Sequence, residues 1–196
     1  MKNLKNLIKT ALIALLIAMP FTQDTFAQEA KVNNANSNLT IFGTSNIHDW
    51  DMKAEKLSGV ATFKMEDGKL SGVEKLNFSV EVESLKSGKS GMDKNTYNAL
   101  DSKSHKTITY TLTKVNKVTE TANNTFSIET TGNLKIAGET KLIPIKFTAK
   151  TSDNKVALSG KVDLNMTHYK IEPPKALMGT IKTGEEVTID FEVIYN

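Results

Sequence analysis

The segments KVALSGKVDLNM (residues 155–166) and EVTIDFEVIY (residues 186–195) decide the fold class. In the first, Val156, Leu158, Gly160, Val162, Leu164 and Met166 share one parity, against Lys155, Ala157, Ser159, Lys161 and Asp163. In the second, Val187, Ile189, Phe191, Val193 and Tyr195 alternate with Glu186, Thr188, Asp190 and Glu192. Strict period-two alternation places successive side chains on opposite faces, which gives strands with one apolar and one wet face. Between them lies EPPKALMGT (residues 172–180), too proline-rich to continue a strand and too apolar for an ordinary solvated loop. The expectation is a wall of such strands, with residues 172–180 forming part of its rim.

Outward from this region, the same alternation recurs. Asn38–Phe42 reads as a first strand, broken by Gly43-Thr44-Ser45-Asn46, and Ile47–Ala54 as a second, with Trp50, Met52 and Ala54 on one parity. Leu57–Met65 and Lys69–Glu83 flank Glu66-Asp67-Gly68, the strongest local hairpin signal in the chain. Leu76, Phe78, Val80 and Val82 alternate along the second arm. Strands resume over Lys106–Val115, Thr125–Ala137 and Lys141–Lys150, with turns at Asn123-Asn124, Gly138-Glu139 and Ser152-Asp153-Asn154. Pro144 inside a strand predicts an edge, a bulge or a strand end. A single helix is predicted near residues 90–101. It opens on a capping box, Ser90 with Asp93, and places Met92, Thr96, Ala99 and Leu100 on one face.

The first 27 residues read as a secretory signal peptide. Lys2, Lys5 and Lys9 precede the apolar run Ala11–Met19, and a polar region ends at Thr25-Phe26-Ala27, with cleavage expected after Ala27. The run falls short of the roughly 20 residues of a membrane-spanning helix, so no transmembrane anchor is expected. Residues 28–37 (QEAKVNNANS) are polar and predict a disordered lead-in to a single domain over residues 38–196. With no cysteine, stability must come from packing, and a periplasmic or secreted location is expected. Beyond residue 27 there are 22 Lys and 21 acidic residues, and the chain contains no arginine. Near-neutral charge and the lack of guanidinium forks disfavour a nucleic-acid partner.

One-sided strands satisfy either a two-layer sandwich or a closed barrel. Eight or nine strands in meander order, with one helix available as a plug, favour an all-β, extended antiparallel barrel, and closure also removes exposed strand edges. A barrel of this size either fills its interior with side chains or holds one ligand. Its inward set is rich in Val, Ile, Leu and Thr and poor in large aromatics, which leaves room for a dry tube suited to a long apolar chain.

Several stretches together resemble one family. GTSNIHDW (residues 43–50) is similar to the opening signature of YceI-like proteins, in the form typical of Bacteroidetes members. SLKSG (84–88), Met92-Asp93-Lys94 with Tyr97 and Leu100, and GNLKIAG (132–138) with Thr140-Lys141 resemble the middle of the pattern. YKIEPP (169–174) and LMGTIKTG (177–184) resemble its end. His168 and Lys106 depart from it, standing where Asp and Pro are more usual. The resemblance implies a lipocalin-like barrel, export to the periplasm, and an internal pore that binds polyisoprenoid or isoprenoid-quinone-type lipids, the lipid being a ligand, with no cofactor.

The residues expected to contact such a lipid are Trp50, Phe78, Val80, Ile108, Tyr110, Leu112, Phe147, Val162, Leu164, Met178 and Phe191, with Leu177 beside Met178 at the mouth. Tyr110 is a candidate to bond a lipid headgroup or an internal partner. His48-Asp49, with His105 and His168, is the cluster that would suit an exported hydrolase or metalloenzyme. Neighbours on an extended segment point to opposite faces, however, and no HxH or HExxH spacing exists. The reading is therefore non-enzymatic, with no catalytic or metal-binding residues. A structural protein with a filled barrel is the third alternative, and the sequence admits a homodimer.

Overall fold

The computed structural model describes residues 25–153 and 155–196. Its strands are β1 (Thr25–Lys31), β2 (Asn38–Ser45), β3 (Asp49–Ala54), β4 (Leu57–Glu66), β5 (Lys69–Glu81) and β6 (Leu85–Lys86), followed by helix α1 (Ser90–Ala99). Then come β7 (Thr107–Ala122), β8 (Thr125–Ile136), β9 (Glu139–Ser152), β10 (Lys155–Asn165), the two-residue β11 (Lys175–Ala176) and β12 (Ile181–Tyr195). Every pairing is antiparallel.

The pairings resolve these segments into eight long strands in a ring. β3 and β4 form one bent strand and β5 and β6 another, because β3 pairs with β6 where β4 pairs with β5. β1 and β2 likewise form one interrupted strand: β1 lies on β4, and β2 lies on β3. From there the order runs β5, β7, β8, β9, β10, β12, and β12 returns to β2. At the far end of β12 the return is made by residues 31–33, through the Val32–Tyr195 bridge and reciprocal Lys31–Asn196 hydrogen bonds of 3.0 Å. The expected eight-to-nine-strand meander barrel is what forms.

Its hairpins follow from turn chemistry. Asp67 (φ 50°) and Gly68 (φ 76°) both take the positive φ that a tight two-residue hairpin loop requires. The β8–β9 turn falls on Ala137 (φ 47°) and Gly138 (φ 86°), one residue earlier than the Gly138-Glu139 expected. β7 runs to Ala122 rather than stopping near Val115, because three bulges, at Leu112/Lys114, Val115/Lys117 and Glu120/Ala122, keep it paired with β8 as it twists.

Two expectations at the N-terminal side need comment. The first 24 residues of the proposed signal peptide lie outside the described residues, and Thr25–Ala27 belong to β1. Residues 28–37 are ordered rather than disordered. Gln28–Lys31 occupy the free ladder of β4 opposite Phe63–Val60, and backbone pairing of this kind does not depend on side-chain polarity. The following asparagines are used structurally. The Asn34 side chain donates to the Glu55 carbonyl (2.9 Å) and accepts from the Leu57 N–H (2.6 Å), while the Ser37 hydroxyl accepts from the Ile194 N–H (2.9 Å).

The helix also starts differently from the expected capping box. Lys89 is the N-cap, without a side-chain bond, and Asp93 instead accepts from the Ser87 N–H (2.8 Å) and hydroxyl (2.6 Å). The carboxylate thus ties α1 to the loop before it. The Tyr97 hydroxyl donates to the Leu85 carbonyl (2.8 Å) and accepts from the Lys86 ammonium (2.6 Å), a bond that holds the Lys86 pKa above its ordinary value.

The barrel interior is divided. At the end with the tight turns, Ala61, Phe63, Met65, Leu70, Val73, Phe126, Ile128, Ala149 and Val156 are buried against one another as a solid core. Phe63 meets Tyr195 edge-on, centroids 5.7 Å apart. The opposite end carries the long connections, α1 and residues 166–180, and is hollow.

Two glycines are needed because aromatic rings lie on them: Trp50 covers Gly43 and Tyr110 covers Gly132, and a Cβ at either would overlap the ring. Gly132→Ala should therefore cost about 1–3 kcal/mol, read as a lower denaturant midpoint with an unchanged slope. Tyr110→Phe, which removes only the hydroxyl, should cost about 1 kcal/mol.

Candidate functional site: an apolar cavity with one mouth

The hollow half encloses a cavity of about 880 Å³, near the upper end of the ~300–1,000 Å³ usual for small-molecule sites. Its wall is built by parity. β2 contributes Leu39 and Ile41, β3 Trp50 and Met52, and β5 Leu76, Phe78 and Val80. β7 adds Ile108 and Tyr110, β9 Ile145 and Phe147, and β10 Leu158, Val162 and Leu164. β12 contributes Val187, Ile189, Phe191, Val193 and Tyr195. One face of α1, through Met92, Thr96 and Ala99, covers part of the open end, and Thr96 donates to the Met52 sulfur at 3.3 Å.

Nine of the eleven residues expected at the site therefore face one space, and the fully exposed Met178 borders its mouth. Leu112 does not line it. The β5–β7 ladder ends at the Asn77–Thr111 pair, and the bulge after Leu112 carries β7 away from β5, so Leu112 packs partly buried against the core. Tyr110 has an internal partner rather than a free headgroup donor. Its oxygen lies 3.0 Å from the Thr130 hydroxyl, which donates onward to the Ile145 carbonyl at 2.9 Å. Burial pushes the Tyr110 phenol pKa up, with the Thr130 bond opposing it, and burial alone raises that of Tyr195 at the cavity floor. Both phenols are thus held neutral.

The wall is least tightly laced between β9 and β10. They pair only over Thr148–Ser152 and Lys155–Ser159, next to their turn, and part toward the mouth. Pro144 lies in that unpaired stretch of β9, in keeping with a residue that has no N–H to give.

The mouth is shaped by the loop between β10 and β12 and by the β2–β3 turn. The Asn46 side chain clasps them together, donating to the Thr180 carbonyl (3.0 Å) and accepting from the Lys182 N–H (2.8 Å). The Trp50 indole donates to the Thr44 carbonyl (2.9 Å), which fixes the ring across Gly43 as part of the wall. Leu177 (φ 49°) and Met178 (φ 56°) both take left-handed backbone conformations at the rim, and Met178 is fully exposed. Among the described residues, the charged side chains that border the cavity are those of Lys89, Lys94 and Lys175, and no carboxylate does so; His48 also borders it.

Strand parity identified the wall without singling out Leu39, Ile41, Ile145 or Ile189. The roles of the rim lysines and Asn46 were not read, because they arise from loops that meet only in the folded barrel.

The histidine reading finds no geometric support. The His48 Nδ1 lies 2.9 Å from the Asp49 backbone carbonyl rather than turning to its carboxylate. His105 lies 4.0 Å from Asp101 and against Gly138, and His168 sits in the short turn Met166–Tyr169. Among the described residues, no three His, Cys, Asp or Glu side chains gather in a way that could hold a metal ion. No helix among them is long and apolar enough to cross a membrane.

Known structures share this architecture. BcnA of Burkholderia cenocepacia superposes with a TM-score of 0.65 at 15% identity, covering 83% of this chain and 98% of its own. A polyisoprenoid-binding domain from Saccharophagus degradans, implicated in plant cell wall breakdown, superposes with a TM-score of 0.65 at 11% identity, covering 85% and 97%. The YceI protein of Campylobacter jejuni does so with a TM-score of 0.53 at 18% identity, covering 73% and 82%. Identities this low speak to fold alone. No curated protein sequence matches the chain significantly. The family model of the YceI-like domain, however, matches residues 30–195, nearly all of the barrel, and by that match the chain belongs to the YceI-like family.

Proposed function

We propose that this protein is an exported, non-catalytic lipid-binding protein that holds one long apolar chain, of the polyisoprenoid or isoprenoid-quinone type, for carriage or storage. The observation that carries the reading is the cavity: about 880 Å³, walled by aliphatic and aromatic side chains, and free of carboxylates among the described residues. Each methylene of a guest buried there contributes about 0.8 kcal/mol, so affinity needs no hydrogen bond. The polyisoprenoid-binding domain of the same fold supports the choice of guest. The lipid is the sole ligand in this reading, with no cofactor. Release at Ala27 would place the protein in the periplasm or outside the cell and leave Gln28–Lys31 paired with β4. N-terminal sequencing of exported protein should accordingly begin at Gln28; an unprocessed chain would contradict export.

Organic extraction of protein purified from its native host, followed by mass spectrometry, should release an isoprenoid lipid in near-stoichiometric amount. A protein that carries no lipid and also refuses added polyprenols and quinones would sink the proposal. Val162→Trp, filling the cavity from β10, should displace about three methylenes of guest, worth about 2.4 kcal/mol or some 50-fold in affinity. Isothermal or fluorescence titration reads the loss, and thermal melting checks that the barrel remains folded.

A further inference from the structure

The mouth presents two features that binding of a chain inside the barrel does not require. The first is an apolar tip. Leu177 is 72% exposed and Met178 is fully exposed, on a loop whose backbone is in the left-handed region at Leu177, Met178 and Gly179. Ile47, also largely exposed, belongs to the β2–β3 turn that Asn46 clasps to Thr180 and Lys182, so it stands beside that loop and outside the cavity lining. Large apolar side chains are not usually concentrated in water without a partner.

The second is charge asymmetry. The chain as a whole is nearly balanced, yet among the described residues the strongly charged side chains that line the cavity are all lysines. Lys175 is paired with Glu172 at 2.8 Å, while Lys89 and Lys94 have no ion-pair partner among the described residues. An apolar tip at the same opening as the unpaired ammonium groups of Lys89 and Lys94 matches the layering of an anionic bilayer, with phosphate charge at the surface and hydrocarbon just beneath it. From this complementarity we infer that the mouth docks on an anionic phospholipid surface, with Leu177, Met178 and Ile47 entering the headgroup layer while Lys89 and Lys94 contact phosphates. The inference rests on the lipid-binding reading above and adds where the guest is loaded: directly from a membrane, since docking in this pose places the cavity opening against the acyl chains.

Flotation of the full protein with mixed phosphatidylethanolamine–phosphatidylglycerol vesicles, against phosphatidylcholine vesicles, tests it. Binding should be confined to the anionic vesicles and should weaken with added salt. Lys89→Gln with Lys94→Gln should lower it by about fivefold per lysine. Leu177→Asn with Met178→Asn should lower it by about tenfold or more, and asparagine tolerates the left-handed backbone at both positions. Ile47→Asn should weaken vesicle binding severalfold while leaving uptake of the polyprenol solanesol from detergent micelles unchanged.

Wild-type protein that takes up solanesol from micelles but ignores anionic vesicles overturns the docking surface and leaves the lipid-binding function standing. Vesicle binding unchanged by both double substitutions also overturns it. So does a lysine pair that affects only the uptake of solanesyl diphosphate from micelles, since those lysines would then serve the guest's own headgroup. Failure to take up solanesol in any form counts against the proposed function instead, and vesicle binding is judged independently of it.

Discussion

Closure of the backbone ladder is the constraint from which the other properties of this molecule follow. An open sheet of one-sided strands would leave two edges of unpaired N–H and C=O groups and would have no inside. Here the chain from Thr25 to Ser45 changes partners midway, from β4 to β3, while β2 and residues 31–33 are laid along β12 on the other side. The irregular turn at Asn34–Asn36 absorbs the offset, and Asn34 and Ser37 supply by side chain the bonds that the ladder omits there. A polar, asparagine-rich stretch is well suited to this position, because its work is to satisfy backbone groups rather than to fill a core.

Given closure, the division of the interior is a matter of volume. Phe63, Met65, Phe126 and Ile128 meet across the end with tight turns and leave no space between them. Toward the other end the inward positions of β10 and β12 are mostly aliphatic, and α1 is held over the opening rather than within it. Asp93, Tyr97 and Thr96 fix the helix to Ser87, Leu85 and Met52, so it does not collapse into the space it covers. The walls offer few polar atoms, and the hydroxyl of Tyr110 is already bonded to that of Thr130. A space of that chemistry is poorly hydrated, which favours an apolar guest over water.

Much of this was legible in the chain. Alternation over residues 155–166 and 186–195 gave the inward face of both strands correctly, because a side-chain period of two leaves no freedom once one face is apolar. Asp67-Gly68 fixed its hairpin for the same local reason. What could not be read were features set by distant partners. Residues 28–37 looked unstructured because their order comes from backbone pairing with β4 and β12, which side-chain composition does not report. Leu112 continued the correct parity but lay beyond the point where β7 leaves β5. Asp93 had the spacing of a helix cap and was recruited instead by Ser87. Tyr110 shows the same limit: its inward direction was evident, its bond to Thr130 on the next strand was not.

The packed floor has a consequence for traffic. With Phe63, Ile128 and Tyr195 closing the far end, a threaded molecule has no exit ahead of it and must back out by the way it came. The barrel is thus a flask and not a pipe, with its hollow half open toward α1 and residues 166–180 and its other half packed. A long molecule threaded into such a vessel would leave one of its two ends at the neck.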